Sequence, residues 1–267
     1  MSGPLVFLKL GGSMLGDKRR RTDFRTAAVV RAAREIVAAR KAVPGMRLVL
    51  AHGGGGFAHF PAREFRTRQG LPGGGGWEGF CATRRGVIEM NRRVLDSLAH
   101  GGLHPVLLSP SAQVLADAGH VARWDLAAVR RLLAAGQIPL IHGDCVLDKT
   151  LGFTILSTEE LFAYLAAKLQ PARIVLACDV EGVYLDPGRR TLMRRIDASN
   201  IKEVRQLLAR ADAAGAADVT GRMAAKVERL YELATRRRGL EVRIVSGLKP
   251  GVVRTALAGG DAGTRIG

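Results

Sequence analysis

Two glycine-rich segments follow apolar runs and could hold phosphate groups through their backbone. The first is Lys9-Leu10-Gly11-Gly12-Ser13, and the second runs from His52 to His59 with four consecutive glycines. Adjacent glycines let backbone N–H groups approach phosphate oxygens closely, and Lys9 adds a positive charge. The first segment lacks Walker A spacing, and alone it fits a structural turn equally well. Four glycines in a row are costly to order, so we favour an anion cradle for the second segment.

Strands and helices are predicted to alternate along the chain. Near-continuous apolar runs predict strands buried on both faces: Leu5 to Leu10, Arg47 to His52, His104 to Ser109, Ile138 to His142, Arg173 to Cys178 and Val242 to Ser246. Helical patterns cover Thr22 to Lys41, Thr83 to His100, Asp125 to Ala135, Glu159 to Leu169, Ile201 to Ala209 and Thr220 to Arg238. We therefore predict an α/β fold with one mainly parallel sheet between helices, in three layers. Gly73 to Gly76 is predicted to be a flexible loop, and both glycine-rich segments should meet at one sheet edge.

The net charge of +17 is carried mainly by arginine, because only eight of the 41 basic residues are lysine. The arginines are scattered in short clusters along the chain, and aromatic residues make up only 5%. We therefore expect the arginines to lie on solvated helix surfaces and expect no nucleic-acid partner. A small anionic substrate is compatible with this charge. We also expect no membrane segment and no secretory signal. Three widely spaced cysteines predict neither a disulfide framework nor a zinc site, which suits a cytoplasmic protein.

Five segments resemble, in order, the motifs of the amino acid kinase superfamily: KLGGS from Lys9, HGGGGFAH from His52, IPLIHGDCVLD over 138–148, ACDVEGVYLDP over 177–187 and DVTGRMAAK over 218–226. The pattern is most similar to that of the isopentenyl phosphate kinases, since His59 follows the glycines. Acetylglutamate, aspartate and uridylate kinases lack that histidine, whereas fosfomycin kinases have one. The resemblance implies one domain over residues 1–267, with an acceptor lobe over about 1–170, a nucleotide lobe over about 171–267, and a homodimer.

The resemblance also implies transfer of the γ-phosphoryl group of ATP onto the phosphate of isopentenyl phosphate. It assigns catalytic roles to Lys9, Lys18, His59, Glu159 and Lys226. It assigns the acceptor to Gly54, Gly55, Gly56, His59 and Thr158, and the nucleotide to Lys9, Gly11, Gly12, Ser13, Gly55, Asp179, Gly182, Tyr184, Gly221 and Lys226. The sequence shows no metal cage, so Mg²⁺ is expected to arrive with ATP and keep phosphate and water ligands.

Several of these residues have a structural alternative. Lys18 could be an exposed member of a basic run, and His59 could be a buried structural histidine. His52, which precedes the glycines, is interpreted as structural. Trp77, Phe80 and Cys81 could line a prenyl pocket or belong to the core.

Three departures from the family pattern leave the acceptor open. First, the family's SGDD becomes Ser157-Thr158-Glu159-Glu160, in which Glu159 keeps the acidic group with one more methylene. Second, Thr158 replaces a glycine whose backbone approaches the acceptor, which suggests a tighter or differently shaped pocket. Third, GGMKGK becomes the segment from Gly221 to Lys226, which loses the first lysine and keeps the second. Ala58 in place of a glycine is a smaller change. Two alternatives stay open. The chain could be a sibling kinase for another phosphate, phosphonate or carboxylate, or a non-catalytic nucleotide-binding protein on the same fold.

Overall fold

The computed structural model of the chain describes residues 3–17, 19–185, 191–213, 221–237 and 239–267. Their strands are β1 Leu5–Leu10, β2 Arg47–His52, β3 Val106–Leu107, β4 Val114–Asp117, β5 His120–Trp124, β6 Pro139–His142, β7 Asp144–Asp148, β8 Gly152–Leu156, β9 Arg173–Cys178, β10 Val183–Tyr184, β11 Leu192–Met193, β12 Arg195–Ile196, β13 Glu241–Ser246 and β14 Thr264–Ile266. Their helices are α1 Gly12–Leu15, α2 Thr26–Ala42, α3 Gly55–Glu64, α4 Gly70–Gly73, α5 Gly76–His100, α6 Ala127–Ala134, α7 Thr158–Leu169, α8 Ile201–Ala213, α9 Gly221–Thr235 and α10 Val252–Ala258.

A central sheet of eight strands has the order β12-β14-β13-β9-β1-β2-β6-β3. Its pairings are parallel except that of β13 with β14. Leu10 at the end of β1 pairs in register with His52 of β2, and His52 pairs with His142 of β6. The carboxyl ends of these strands therefore share one edge, as predicted for the two glycine-rich segments.

Helices cover both faces of the central sheet. Phe7 and Leu8 are neighbours in β1 and both are fully buried, but their side chains enter different layers because strand residues alternate between faces. Phe7 packs in the layer that holds α6, α7, α8 and α9, whereas Leu8 packs with α2, α5 and α10. The predicted three-layer α/β architecture is confirmed.

A second sheet was not predicted from the sequence. Strands β5, β4, β7 and β8 form it in that order, and β10 pairs with β11 in a separate two-stranded ribbon. Strand β4 alternates buried and half-buried residues, and β5 is mostly exposed. These short strands lack the continuous apolar run that identified the strands of the central sheet.

Some predicted boundaries were wrong. The loop from Gly73 to Gly76 is shorter than expected, because α4 includes Gly73 and α5 begins at Gly76 rather than Thr83. Helix α2 begins at Thr26 rather than Thr22, and β3 keeps only two residues of the predicted strand. In the part of the chain that the structure describes, no helix combines the length and the apolar character required to span a membrane.

Candidate phosphoryl-transfer site

The two glycine-rich segments touch each other at the carboxyl edge of the sheet. A side-chain carbon at Gly53 would lie 2.9 Å from the backbone nitrogen of Gly12, so only glycine permits this approach. Gly53 N–H donates to the carbonyl of Leu10 at 3.1 Å, and Gly11 N–H donates to that of Ala177 at 2.8 Å. The backbones of β1, β2 and β9 are thereby joined at the point where the strands end.

The second segment turns directly into helix α3. Gly55 has φ of +52°, a left-handed conformation that glycine adopts without strain, and Gly54 precedes it at the N-cap. The first N–H groups of a helix have no partner within it and favour anions. His59 lies on α3 and is exposed, so its alternative as a buried structural histidine is wrong.

Lys9 and Glu159 form a close ion pair beside these glycines. Lys9 Nζ lies 2.6 Å from Glu159 Oε2, and the two side chains are only 11% and 16% exposed. Glu159 is held at the start of α7, where the Ser157 hydroxyl accepts the N–H of Glu160 and caps the helix. Burial raises the pKa of Glu159, but the charge and hydrogen bond of Lys9, with Lys226, outweigh it and lower that pKa to about 2.

Lys226 lies near enough to the same carboxylate for its charge to lower the pKa of Glu159. It lies in the second turn of α9, and its Nζ is 3.4 Å from the Sγ of buried Cys178 at the end of β9. Burial lowers the pKa of Lys226, yet Cys178, Glu159 and Asp179 together raise it above its ordinary value. The structure therefore brings together Lys9, Glu159 and Lys226, as the motifs predicted.

Behind these residues lies a buried polar network. His52 and His142 have ring centroids 5.3 Å apart, and burial above all lowers the pKa of each to about 4, so both are neutral near pH 7. His52 Nε2 lies 3.0 Å from the side-chain amide of Asn91. Asp144 accepts two hydrogen bonds of 2.9 Å from Arg84 Nη1. The interpretation of His52 as structural is consistent with its complete burial.

Thr158 differs from its expected place. Its hydroxyl donates to the carbonyl of His52 at 2.9 Å, and the residue is 2% exposed. The side chain therefore points into the protein and ties α7 to β2. It does not narrow a pocket as the sequence suggested, although its backbone remains at the N-terminal turn of α7.

The remaining predicted nucleotide residues lie in the segment after β9 and in β10. Asp179 is exposed, Gly182 is buried, and Tyr184 is half-buried in β10. Gly182 is followed by Val183, whose N–H donates to Thr264 Oγ1 at 2.8 Å.

The other predicted residues are spread further. Ser13 lies in α1 and is half-buried, and Gly221 begins α9. Lys18 falls outside the described residues, so its predicted role stays a prediction.

An aromatic cluster joins α5 to β8. Trp77 and Phe80 of α5 each have ring centroids 5.3 Å from that of Phe153 in β8. Phe153 is fully buried, whereas Trp77 is 51% exposed and Cys81 is exposed. The cluster is thus partly core and partly open surface.

Sequence reasoning missed contacts that depend on tertiary structure. Cys178 contacts Lys226, and Arg84 contacts Asp144 of the HGD segment. Neither Cys178 nor Arg84 was identified as a functional residue from the motifs. The only available signal was the position of Cys178 directly before Asp179. Among the described residues, no three His, Cys, Asp or Glu side chains come close enough to hold a metal ion.

Comparison with known proteins agrees with the observed fold. The sequence model of the amino acid kinase family matches residues 4–246. The chain is 32% identical to the isopentenyl phosphate kinase of Methanothermobacter thermautotrophicus over 273 residues, covering 98% of both chains. It is 31% identical to that of Methanocaldococcus jannaschii, again covering 98% of both. An X-ray structure of an isopentenyl phosphate kinase superposes with a TM-score of 0.79 at 29% identity, covering 98% of this chain and 100% of the other.

Proposed function

Because the chain belongs to the amino acid kinase family, we propose that it transfers the γ-phosphoryl group of ATP to the phosphate of isopentenyl phosphate, giving isopentenyl diphosphate and ADP. One observation carries this proposal. Lys9, Glu159 and Lys226 lie close together at the sheet edge where the two glycine-rich segments meet. Two lysines and two glycine segments suit a reaction between highly charged phosphates.

In the proposed reaction, an oxygen of the acceptor phosphate attacks the γ-phosphorus. The bond to the β,γ-bridging oxygen breaks, and ADP leaves with that electron pair. Lys9 lies near the end of β1 beside the glycine segments, and in this proposal it would contact both phosphate groups. Lys226, on the nucleotide side, would neutralise the β- and γ-phosphates, and Lys18 would stabilise the transferring group.

Glu159 would serve as an organiser of the two lysines rather than as a base. Its pKa of about 2 keeps it charged at neutral pH, and its carboxylate holds Lys9 at 2.6 Å. The acceptor phosphate already carries nucleophilic oxygens, so no proton has to be removed from it when it is fully ionised. Arrangement of positive charge is therefore the main task of the protein here.

The acceptor would bind at the start of α3. The N–H groups that follow Gly54, with Gly55 and Gly56, and the backbone of Thr158 would surround its phosphate, and His59 would donate a hydrogen bond. The apolar tail would extend toward Trp77 and Phe80, whose rings pack on Phe153. The proposal keeps an acceptor lobe over about 1–170 and a nucleotide lobe over about 171–267.

ATP would bind with Mg²⁺. The described carboxylates do not gather into a metal cage, which fits an ion held mostly by phosphate oxygens and water. Its charge would assist in neutralising the phosphates. The protein's own share is the positioning of the phosphates by backbone N–H groups and lysines.

We further propose a homodimer in a reducing, cytosolic environment. Trp77 and Ile88 are 51% and 55% exposed, and eleven residues of helix, about three turns, place them on the same face of α5. An apolar pair of this kind suits a symmetric interface. Size-exclusion chromatography with light scattering tests it, and a monomer at micromolar concentration would contradict it.

An acceptor panel tests the proposed function. Purified protein is incubated with ATP, Mg²⁺ and one of isopentenyl phosphate, dimethylallyl phosphate or fosfomycin, and ADP release is followed. We expect the highest kcat/KM for isopentenyl phosphate. A clear preference for fosfomycin would identify a sibling kinase, and ATP binding without turnover of any acceptor would identify a non-catalytic protein.

A further inference from the structure

The carboxylate of Glu160 joins three elements next to the site. Its Oε2 lies 2.9 Å from Arg229 Nη1 on α9, and its Oε1 lies 3.0 Å from His120 Nδ1 on β5. Arg229 Nη1 also lies 3.4 Å from the Ser157 hydroxyl that caps α7. Glu160 is 20% exposed and Arg229 42%, so water screens the pair only partly.

This ion pair lies one helical turn from the phosphoryl-transfer residues. Arg229 follows Lys226 by three residues on α9, so the two side chains project from neighbouring turns of one side. Glu160 directly follows Glu159 on α7. The two consecutive glutamates therefore contact different partners: Glu159 pairs with Lys9 of β1, and Glu160 pairs with Arg229 of α9.

Apolar side chains also join α7 and α9 near the pair. Phe162, Ala166 and Leu230 belong to one buried core cluster, and a cavity of about 620 Å³ beside them is lined by both helices, Glu160 and Arg229 included. The ion pair therefore adds a polar contact to the apolar packing between the two helices.

We propose that Glu160 and Arg229 are positioning residues, which set the place of Lys226 by fixing α9 to the first turn of α7. The inference rests on the proposed role of Lys226 toward the phosphates of ATP. It requires no contact between the pair and either substrate.

Calorimetric titration with a non-hydrolysable ATP analogue and Mg²⁺ tests the inference without an acceptor. Glu160→Gln and Arg229→Gln are each expected to weaken binding by about fivefold, the upper range for a partly exposed pair. The double variant is expected to bind no more weakly than either single one, because the same contact is lost. Failure of isopentenyl phosphate to react would refute the proposed acceptor and leave this titration interpretable.

The direction of the two effects separates positioning from charge acting through space. Removing the negative charge of Glu160 would by itself strengthen binding of an anionic nucleotide, whereas removing the positive charge of Arg229 would weaken it. Weaker binding in both variants therefore supports positioning. Opposite directions, or no change in either, would overturn it.

Matched controls come from the neighbouring ion pair on α9. Glu228 Oε2 accepts a hydrogen bond of 2.8 Å from Arg205 Nε on α8, and neither residue contacts α7 through this pair. Glu228→Gln and Arg205→Gln are expected to keep wild-type affinity, and equal losses in these controls would contradict the inference. Circular dichroism checks that each variant is folded. If a glutamine variant unfolds, Glu160→Asp and Arg229→Lys replace it and are expected to weaken binding of the ATP analogue about twofold. Unchanged binding in both of these variants would overturn the inference.

Discussion

Lys9 Nζ and Glu159 Oε2 lie 2.6 Å apart at the edge of the central sheet. This ion pair joins the end of β1 to the first turn of α7, which begins nearly 150 residues later in the chain. The carboxylate holds a largely buried ammonium in one place. Together with Lys226, it fixes the positive charge that the proposed reaction needs.

Loss of the Glu159 charge should slow phosphoryl transfer. Glu159→Gln leaves Lys9 without its carboxylate, and we expect kcat to fall by about 100-fold, as when one preorganised electrostatic group is removed. Glu159→Asp keeps a carboxylate and introduces the aspartate of the family motif, so its kcat should fall less than that of the glutamine variant. Steady-state kinetics with ATP and isopentenyl phosphate measure both, and equal activity in the two variants would contradict the role.

The same pair should appear in the pH dependence of stability. The pKa of Glu159 falls from an ordinary 4.5 to about 2 on folding, so the unfolded chain binds more protons between these values. The stabilisation is present above pH 4.5 and is lost as the pH falls toward 2. Urea unfolding of wild type and Glu159→Gln should give free energies that differ at pH 6 and converge as the pH falls toward 2. A difference independent of pH would refute this assignment.

The side chain of Thr158 should contribute to stability, whereas only the backbone of this residue is proposed to contact the acceptor. Thr158→Gly removes the hydrogen bond to His52 and adds backbone freedom at the start of α7, so we expect a loss of about 2 kcal/mol in the free energy of unfolding. Thr158→Ser keeps the hydroxyl and serves as the control. Thermal unfolding measures the change, while the KM for isopentenyl phosphate should stay within about threefold of wild type, less than the loss of one good hydrogen bond to substrate. A large rise in KM with unchanged stability would reverse this interpretation.

Substitution of His59 should lower activity without lowering stability, the reverse of what we expect for Thr158. Its side chain is exposed on α3, so His59→Ala should leave the melting temperature nearly unchanged. If His59 donates to the acceptor phosphate, kcat/KM for isopentenyl phosphate should fall by about 100-fold. An exposed histidine elsewhere, His104, provides the control variant His104→Gln, which should react like wild type. Unchanged turnover in His59→Ala would remove this residue from the site.

The sequence was sufficient for the parts of the fold that are buried on both faces. Strands β1, β2 and β9 have the predicted bounds because their apolar runs are continuous. Lys9 and the glycines were identified at their ends for the same reason. Glu159 and Lys226 required the family motifs, because nothing in local periodicity relates residues so distant along the chain.

The parts that could not be predicted depend on packing between distant segments. The sheet of β4, β5, β7 and β8 consists of short, partly exposed strands without a strong pattern. The direction of the Thr158 side chain follows from where α7 meets β2, and the Lys226–Cys178 contact follows from where α9 meets β9. Neither relation is encoded within a window of neighbouring residues.

Phosphorus-31 NMR of a mixture of the protein, ATP, Mg²⁺ and isopentenyl phosphate tests the central claim most directly. The account predicts that the monophosphate resonance disappears while the two coupled resonances of a new diphosphate and those of ADP grow in equal amounts. Formation of ADP with free inorganic phosphate and an unchanged isopentenyl phosphate resonance, or no reaction at all, would contradict it.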